Sequence, residues 1–107
     1  MPYQKYPWHR FQYWLRQQPD HAIAGTRLDV EHNPIARFLR ERTGKPFMVS
    51  LCYFTLPDDS SSIYRLPEWA EEFMDALYID SDRERYTFVT ARRIMRQVSE
   101  EMRYGNR

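Results

Sequence analysis

Apolar residues recur with helical spacing in four segments of the chain, and most of these segments begin or end at a residue typical of a helix boundary. The spacing predicts four helices, at residues 8–18, 34–43, 67–78 and 90–103. Asn33 is a favourable N-cap, Pro34 suits the first helical position, and Gly44 can adopt the positive φ that often ends a helix. The second helix therefore carries signals at both ends, and Thr90 is the predicted N-cap of the last one.

Two further segments have the residue types of β-strands. Residues 47–56 are rich in β-branched and aromatic side chains, and both of their alternating faces are mostly apolar, which is typical of a strand covered on both sides. The polar run 57–62 predicts a turn, after which residues 63–66 return antiparallel and complete a hairpin. A short alternation of apolar and acidic residues predicts an additional edge strand near residues 27–31.

This order of elements predicts an α+β fold, in which a small antiparallel sheet is packed by about four helices. A mainly helical domain with one hairpin is the alternative. A chain of 107 residues is expected to form a single domain, residues 1–107, and residues 104–107 are expected to fray.

The composition is that of a folded chain. Hydrophobic residues make up 42% of it, with 6 Phe, 8 Tyr and 3 Trp, which is too apolar for a disordered protein. Cys52 is the only cysteine, so the sequence predicts neither an intramolecular disulfide nor a multi-cysteine zinc site. The opening residues lack the apolar core of a secretory signal, and no apolar run approaches the ~18 residues of a membrane span. We therefore expect a cytoplasmic protein that does not enter a membrane.

The net charge of +1 conceals three blocks of alternating sign. Residues 1–56 carry a net charge of +4, residues 57–84 carry −7 and residues 85–107 carry +4. All but two of the 16 basic residues are arginine, which forms planar bidentate pairs and is enriched at protein interfaces as well as at phosphate contacts. The small net charge argues against bulk attraction to nucleic acid.

Carboxylates recur at every second position after the third predicted helix, in Asp80, Asp82 and Glu84. With its flanking helices this stretch, roughly residues 69–102, resembles the EF-hand family, and the resemblance implies a calcium-binding loop. Two positions depart from that pattern, because Arg85 replaces the Gly of the sharp turn and Ala91 replaces the closing Glu. We therefore predict a solvated charged loop between two packed helices, with no metal ion and no cofactor.

Two surfaces are candidate interaction sites, because tyrosine and arginine are frequent at the centres of protein interfaces. One is the aromatic and basic N-terminus, and the other is the basic face of the last helix. Their candidate residues are Tyr3, Tyr6, Arg10, Tyr13, Arg92, Arg93 and Arg96.

The sequence therefore favours a protein–protein interaction or accessory module without catalysis, whose partner is another protein or a second copy of the chain. The alternative is a nucleic-acid-binding accessory protein that uses the Arg-rich last helix or the N-terminal rings, on which bases could stack. Against that alternative, the last two predicted helices are too far apart in sequence for a helix-turn-helix, and the first of them is acidic.

No nucleophile elbow, Gly-rich phosphate loop or other catalytic motif stands out in the sequence. A dispersed active site remains open, because His21, Asp29, Glu31 and His32 could converge in the folded chain. Cys52 lies in the most apolar predicted strand and is expected to be a small buried hydrophobic residue.

Overall fold

The computed structural model describes residues 8–56, 59–80 and 83–104. Within them, four helices and two small antiparallel sheets form a single α+β arrangement, which confirms the predicted class. In chain order the elements are α1 (Trp8–Arg16), β1 (Ile23–Thr26), α2 (Pro34–Thr43), β2 (Met48–Val49), β3 (Tyr53–Leu56), β4 (Asp59–Arg65), α3 (Glu68–Asp80), β5 (Arg85–Thr87) and α4 (Phe88–Tyr104).

Helix α2 has the predicted bounds and the predicted caps. The Asn33 side-chain oxygen accepts a hydrogen bond from the Ala36 backbone N–H at 2.9 Å. At the other end Gly44 adopts a φ of 74°, and its N–H donates to the Arg40 carbonyl at 2.8 Å. Both ends therefore satisfy backbone groups that a helix terminus leaves without partners.

Helix α4 begins at Phe88, so the prediction that Thr90 caps it is wrong. The first N–H groups of this helix bond to a neighbouring segment instead, Phe88 to the Ala22 carbonyl at 3.1 Å and Val89 to the Asp20 carbonyl at 3.2 Å. A tertiary contact thus replaces the side-chain cap. Tyr104 is the last residue of α4, and the rest of the predicted frayed tail, residues 105–107, lies outside the described residues.

The predicted continuous strand at 47–56 is wrong, because the chain reverses in its middle. Strands β2 and β3 pair antiparallel, with Val49 opposite Phe54. The Ser50 hydroxyl accepts from the Tyr53 N–H at 3.1 Å and donates to the Tyr53 carbonyl at 3.0 Å, so a local side-chain turn outcompetes the extended backbone. Cys52 lies in this turn and is half-buried.

Strand β4 pairs with β3, which gives the sheet order β2-β3-β4. It begins at Asp59, earlier than the predicted residues 63–66, so the polar run expected to be a turn contributes residues to the sheet. The connection between β3 and β4 passes through residues 57–58, which lie outside the described part of the chain.

The predicted edge strand near residues 27–31 is also wrong. Leu28 has a φ of 63°, which is left-handed and incompatible with a strand. The Asp29 carboxylate accepts the backbone N–H groups of Glu31 at 3.0 Å and His32 at 3.2 Å, which folds the segment into a loop. The strand lies upstream as β1, and it pairs with β5 in the segment expected to be a charged loop.

Aromatic rings dominate the core between the helices. The fully buried Phe11 ring lies 5.1 Å from the Phe73 ring and 5.4 Å from both Phe38 and Trp69, measured between centroids. These rings come from α1, α2 and α3, so one residue of α1 links three helices. Among the helices described here, none combines the length and apolar character needed to cross a membrane.

Candidate functional site

A cavity of about 120 Å³ opens between the loop that joins β1 to α2, strand β2 and helix α3. Its inner wall is almost entirely apolar and is formed by Val49, Leu51, Met74, Leu77 and Tyr86. Four of these residues also belong to the hydrophobic core, so the cavity is an indentation in a packed interior.

Asn33 holds the β1–α2 loop, residues 27–33, against the sheet. Its side-chain amide donates to the Asp29 carbonyl and to the Val49 carbonyl, both at 3.0 Å, while its oxygen caps α2. The Val49 N–H also donates to the Val30 carbonyl at 2.8 Å. Because Asn33 is buried and fully bonded, it fixes the cavity entrance and offers no free group to a ligand.

Three apolar side chains surround the entrance, and we call Leu28, Val30 and Tyr78 the apolar rim. Leu28 is 63% exposed and combines this exposure with its left-handed backbone, an uncommon conformation for a residue other than glycine. Backbone strain of this kind persists only where the surrounding structure imposes it, and it is frequent at binding sites. The loop therefore presents a leucine to solvent at the entrance of an apolar cavity.

Tyr86 of β5 forms the floor of the cavity, and Gly25 makes its position possible. A Cβ at Gly25 would lie 2.6 Å from the Tyr86 hydroxyl oxygen and 2.5 Å from the His32 carbonyl oxygen. Burial raises the pKa of Tyr86, the negative charge of Asp29 raises it further, and the cation of Arg37 opposes them. The phenol is therefore neutral throughout the physiological pH range.

Of the candidate dispersed active site, the structure brings only Asp29 and His32 together through their side chains. The Asp29 carboxylate lies 3.0 Å from Nδ1 of His32. Burial alone would raise the pKa of Asp29, but hydrogen bonds from the Glu31 N–H and from His32 outweigh it and lower the pKa. His21 and Glu31 are exposed. In residues 8–56, 59–80 and 83–104, no three His, Cys, Asp or Glu residues gather as metal ligands.

Two of the three carboxylates that suggested an ion-binding loop lie in the described part of the chain. Asp80 ends α3, Asp82 lies outside the described residues, and Glu84 precedes β5. The Glu84 carbonyl accepts the Arg27 N–H at 2.6 Å, so this segment braces the β1–α2 loop. The chain between α3 and α4 is thus partly a strand, and the prediction of a solvated loop is wrong from Arg85 onward.

A second depression, which we call the acidic groove, adjoins the cavity and has a volume of about 180 Å³. Leu51 lines both, and the other residues of the acidic groove are Cys52, Glu71, Glu72 and Asp75. Helix α3 contributes five carboxylates over its length and no lysine or arginine. Three of these carboxylates line the acidic groove, and one of the three, Glu71, pairs with Arg65.

Those candidate interaction residues that the structure describes lie outside the linings of the cavity and the acidic groove. Arg10 and Tyr13 are exposed on α1, whereas Tyr3 and Tyr6 lie outside the described residues. Arg93 and Arg96 are exposed on α4. Whether these residues bind a partner stays a prediction.

Arg92 differs from the other residues of the predicted basic face. Its guanidinium donates to the Leu15 carbonyl at 3.0 Å and to the Gln18 carbonyl at 3.1 Å, and it also bonds the Asp20 carboxylate. It therefore ties α4 to the C-terminal end of α1. A groove of about 180 Å³ lies beside it and is also lined by the exposed Arg16 and Arg96.

The cavity and its rim were not predicted from the sequence. Leu28 and Val30 looked like the apolar face of a strand, because period-two alternation carries no information about a single left-handed residue. The available signal was the pair of turn-forming residues, Asp29 and Asn33, whose side chains compete for backbone hydrogen bonds.

Comparisons of this chain with protein-family models, with curated proteins and with solved structures find no significant match.

Proposed function

We propose that this chain is a protein-binding module without catalysis of its own, in which the cavity receives one apolar side chain of the partner. The observation that supports this most is the apolar rim, because exposed apolar residues that surround an apolar cavity are typical of the centre of an interface. The proposal retains the class of function favoured by the sequence and assigns it to a different surface.

The volume of the cavity agrees with a single anchoring side chain. A dry apolar cavity of about 150 Å³ holds one benzene molecule. The cavity here measures about 120 Å³, so it suits a leucine, isoleucine, methionine or phenylalanine side chain.

A protein partner is favoured over a small polar ligand because the cavity offers few polar groups for orientation. Small-molecule sites combine an apolar wall with several convergent donors and acceptors. Here the Asn33 amide is committed to backbone carbonyls, and the Arg27 guanidinium is engaged with Tyr78. Apolar burial over the cavity and its rim would supply most of the affinity.

The test replaces Leu28 and compares the result with a matched control. The tagged chain is expressed in its native host as wild type, Leu28→Arg and Ile63→Arg, and the co-purifying proteins are quantified. Leu28 and Ile63 are both 63% exposed, but Ile63 lies on β4, outside the cavity lining. We expect a protein retained by wild type and by Ile63→Arg to be lost from Leu28→Arg. Identical profiles for wild type and Leu28→Arg, with equal thermal melts, would refute the proposal.

Nucleic-acid binding is the second candidate, and the specific observation in its favour is the groove between α1 and α4. Arg16 and Arg96 are exposed on its two sides, and apolar residues form part of its lining. If this groove holds a phosphate backbone, labelled single-stranded or double-stranded DNA or RNA should shift at about 50 mM salt and be released as salt rises. The Arg16→Glu/Arg96→Glu variant should abolish the shift, and no shift by wild type at low salt would exclude the candidate.

A cytoplasmic location also stays part of the proposal. The only cysteine of the chain is free and half-buried, and a free thiol suits a reducing compartment. Self-association through the same cavity is one form that the partner could take, and sedimentation of the purified chain over a range of concentrations would detect it.

A further inference from the structure

We infer that the partner segment carries a lysine or arginine two residues from its apolar anchor, and that this basic side chain lies over the acidic groove. The inference rests on the proposed docking of a partner in the cavity. It concerns the partner's chemistry beyond the anchor, which the cavity alone does not specify.

The two depressions are neighbours, because Leu51 lines both of them. On α3, Met74 faces the cavity while the next residue, Asp75, lines the acidic groove. A segment that leaves the cavity over Leu51 therefore enters the acidic groove at once. In an extended segment, side chains two residues apart lie on the same face, about 7 Å from each other.

The charge of the acidic groove selects the partner's second side chain. Glu71 is held by Arg65 in a bidentate pair, with distances of 3.1 and 3.2 Å. The exposed Asp75 also lines the groove, and α3 contributes no cation of its own. A basic side chain would therefore be attracted here, whereas an acidic one would be repelled.

The apolar part of the groove favours a long basic side chain. Leu51 and Cys52 form its apolar wall beside the carboxylates. The methylene stem of a lysine or arginine can cover such a wall while the charged end remains near the carboxylates. A glutamine would cover the same wall without the electrostatic gain.

The experiment selects binders from a displayed library of random short peptides on the full chain, with the Leu28→Arg variant used to remove peptides that bind elsewhere. Enriched peptides are synthesised, and their affinities are measured for wild type, Asp75→Lys and Glu100→Lys. Glu100 is an exposed acid on α4, so its reversal changes the net charge equally but lies outside both depressions.

We expect the enriched peptides to combine a leucine, isoleucine, methionine or phenylalanine with a nearby lysine or arginine. Asp75→Lys should weaken their binding about fivefold and reduce its salt dependence, as is typical of a charge pair at an interface rim, and Glu100→Lys should leave it unchanged. Replacing the basic residue of the peptide with glutamine should weaken wild-type binding similarly, and the two changes together should not be additive.

Two negative outcomes are distinguishable. Peptides that require Leu28 but show no enrichment of basic residues, and that bind wild type and Asp75→Lys equally, would overturn this inference and leave the proposed function standing. Failure to enrich any peptide whose binding is lost in Leu28→Arg would overturn the proposed function and this inference with it.

Discussion

The guanidinium of Arg27 lies 4.5 Å from the centroid of the Tyr78 ring and donates a hydrogen bond to the Tyr78 carbonyl at 3.3 Å. These contacts join the β1–α2 loop to the C-terminal half of α3 directly at the entrance of the cavity. Arg27 lies near the carboxyl end of α3, where the helix dipole also favours a cation. These contacts therefore connect the two sides of the rim, the β1–α2 loop and helix α3.

Replacing Arg27 with alanine should loosen the rim without unfolding the core. The change removes one cation–π contact and one hydrogen bond at an exposed position, so we expect a loss of about 1 kcal/mol in the free energy of unfolding. Urea denaturation should measure this loss, and amide hydrogen exchange should accelerate in the β1–α2 loop. Arg93→Ala, at an exposed arginine of α4, should change stability by less than about 0.5 kcal/mol. Equal effects of the two variants would contradict the bracing role.

Replacing Leu28 with glycine or with alanine should give different free energies of unfolding, and the difference should come from the backbone conformation alone. Both Leu28→Ala and Leu28→Gly remove the exposed side chain, but only glycine adopts a φ of 63° without steric strain. We expect Leu28→Gly to be more stable than Leu28→Ala by about 1 kcal/mol, measured by chemical denaturation. Both variants should lose the binding that depends on Leu28. If alanine is as stable as glycine, the leucine is not strained as described.

Gly25 and Gly44 should respond differently to alanine. At Gly25 the new Cβ would meet the His32 carbonyl oxygen at 2.5 Å and the Asn33 Cα at 2.9 Å, which are backbone atoms that cannot move alone. We expect Gly25→Ala to lower the free energy of unfolding by more than about 2 kcal/mol. At Gly44 the space is open and only the left-handed φ of 74° opposes the change, so the loss should be about 1 kcal/mol. Thermal melts of both variants would measure the ranking, and a reversed ranking would be inconsistent with this geometry.

The class of the fold and the helix positions could be predicted from the sequence because their signals are local. Asn33 and Gly44 fix both ends of α2 through bonds to residues three or four positions away. The sheet could not be predicted in the same way. Strands β1 and β5 are separated by about sixty residues, and nothing in the short segment around Tyr86 marks it as a partner of Gly25.

The cavity depends on such distant pairings and was missed for the same reason. Its wall combines residues from β2, α3 and β5, and its rim requires the conformation of Leu28.

The roles of the arginines in the predicted basic face could not be told apart from the sequence, because composition does not reveal which arginines are bonded within the chain. In the sequence Arg92 resembles the other arginines of α4, but in the fold its guanidinium bonds to the Leu15 and Gln18 carbonyls.

Arg92 should therefore behave as a structural residue. Its replacement by alanine removes charged hydrogen bonds to the Leu15 and Gln18 carbonyls and leaves these carbonyls without that donor, so we expect a loss of about 2–3 kcal/mol. Arg92→Lys should recover only part of this, since an ammonium group cannot reproduce the planar fork. Arg96→Ala, from an exposed neighbour on α4, serves as the control and should be nearly neutral. Equal denaturation midpoints for Arg92→Ala and Arg96→Ala would contradict the link between α4 and α1.

The loop around Asp29 should make stability depend on pH in the acid range. Because the pKa of Asp29 in the folded chain lies below its ordinary value of 3.8, the ionised carboxylate favours the folded state. This contribution is fully present above pH 3.8 and is lost as the pH falls below it, through the folded-state pKa.

In Asp29→Asn the amide oxygen can still accept the Glu31 and His32 N–H groups, but it carries no charge to be lost. Wild type should therefore exceed Asp29→Asn in the free energy of unfolding near neutral pH, and the difference should shrink below pH 3.8. Urea denaturation at both pH values would measure this, with Asp75→Asn as a control for general acid effects, and a difference that is the same at both pH values would show that Asp29 is not stabilised as a carboxylate.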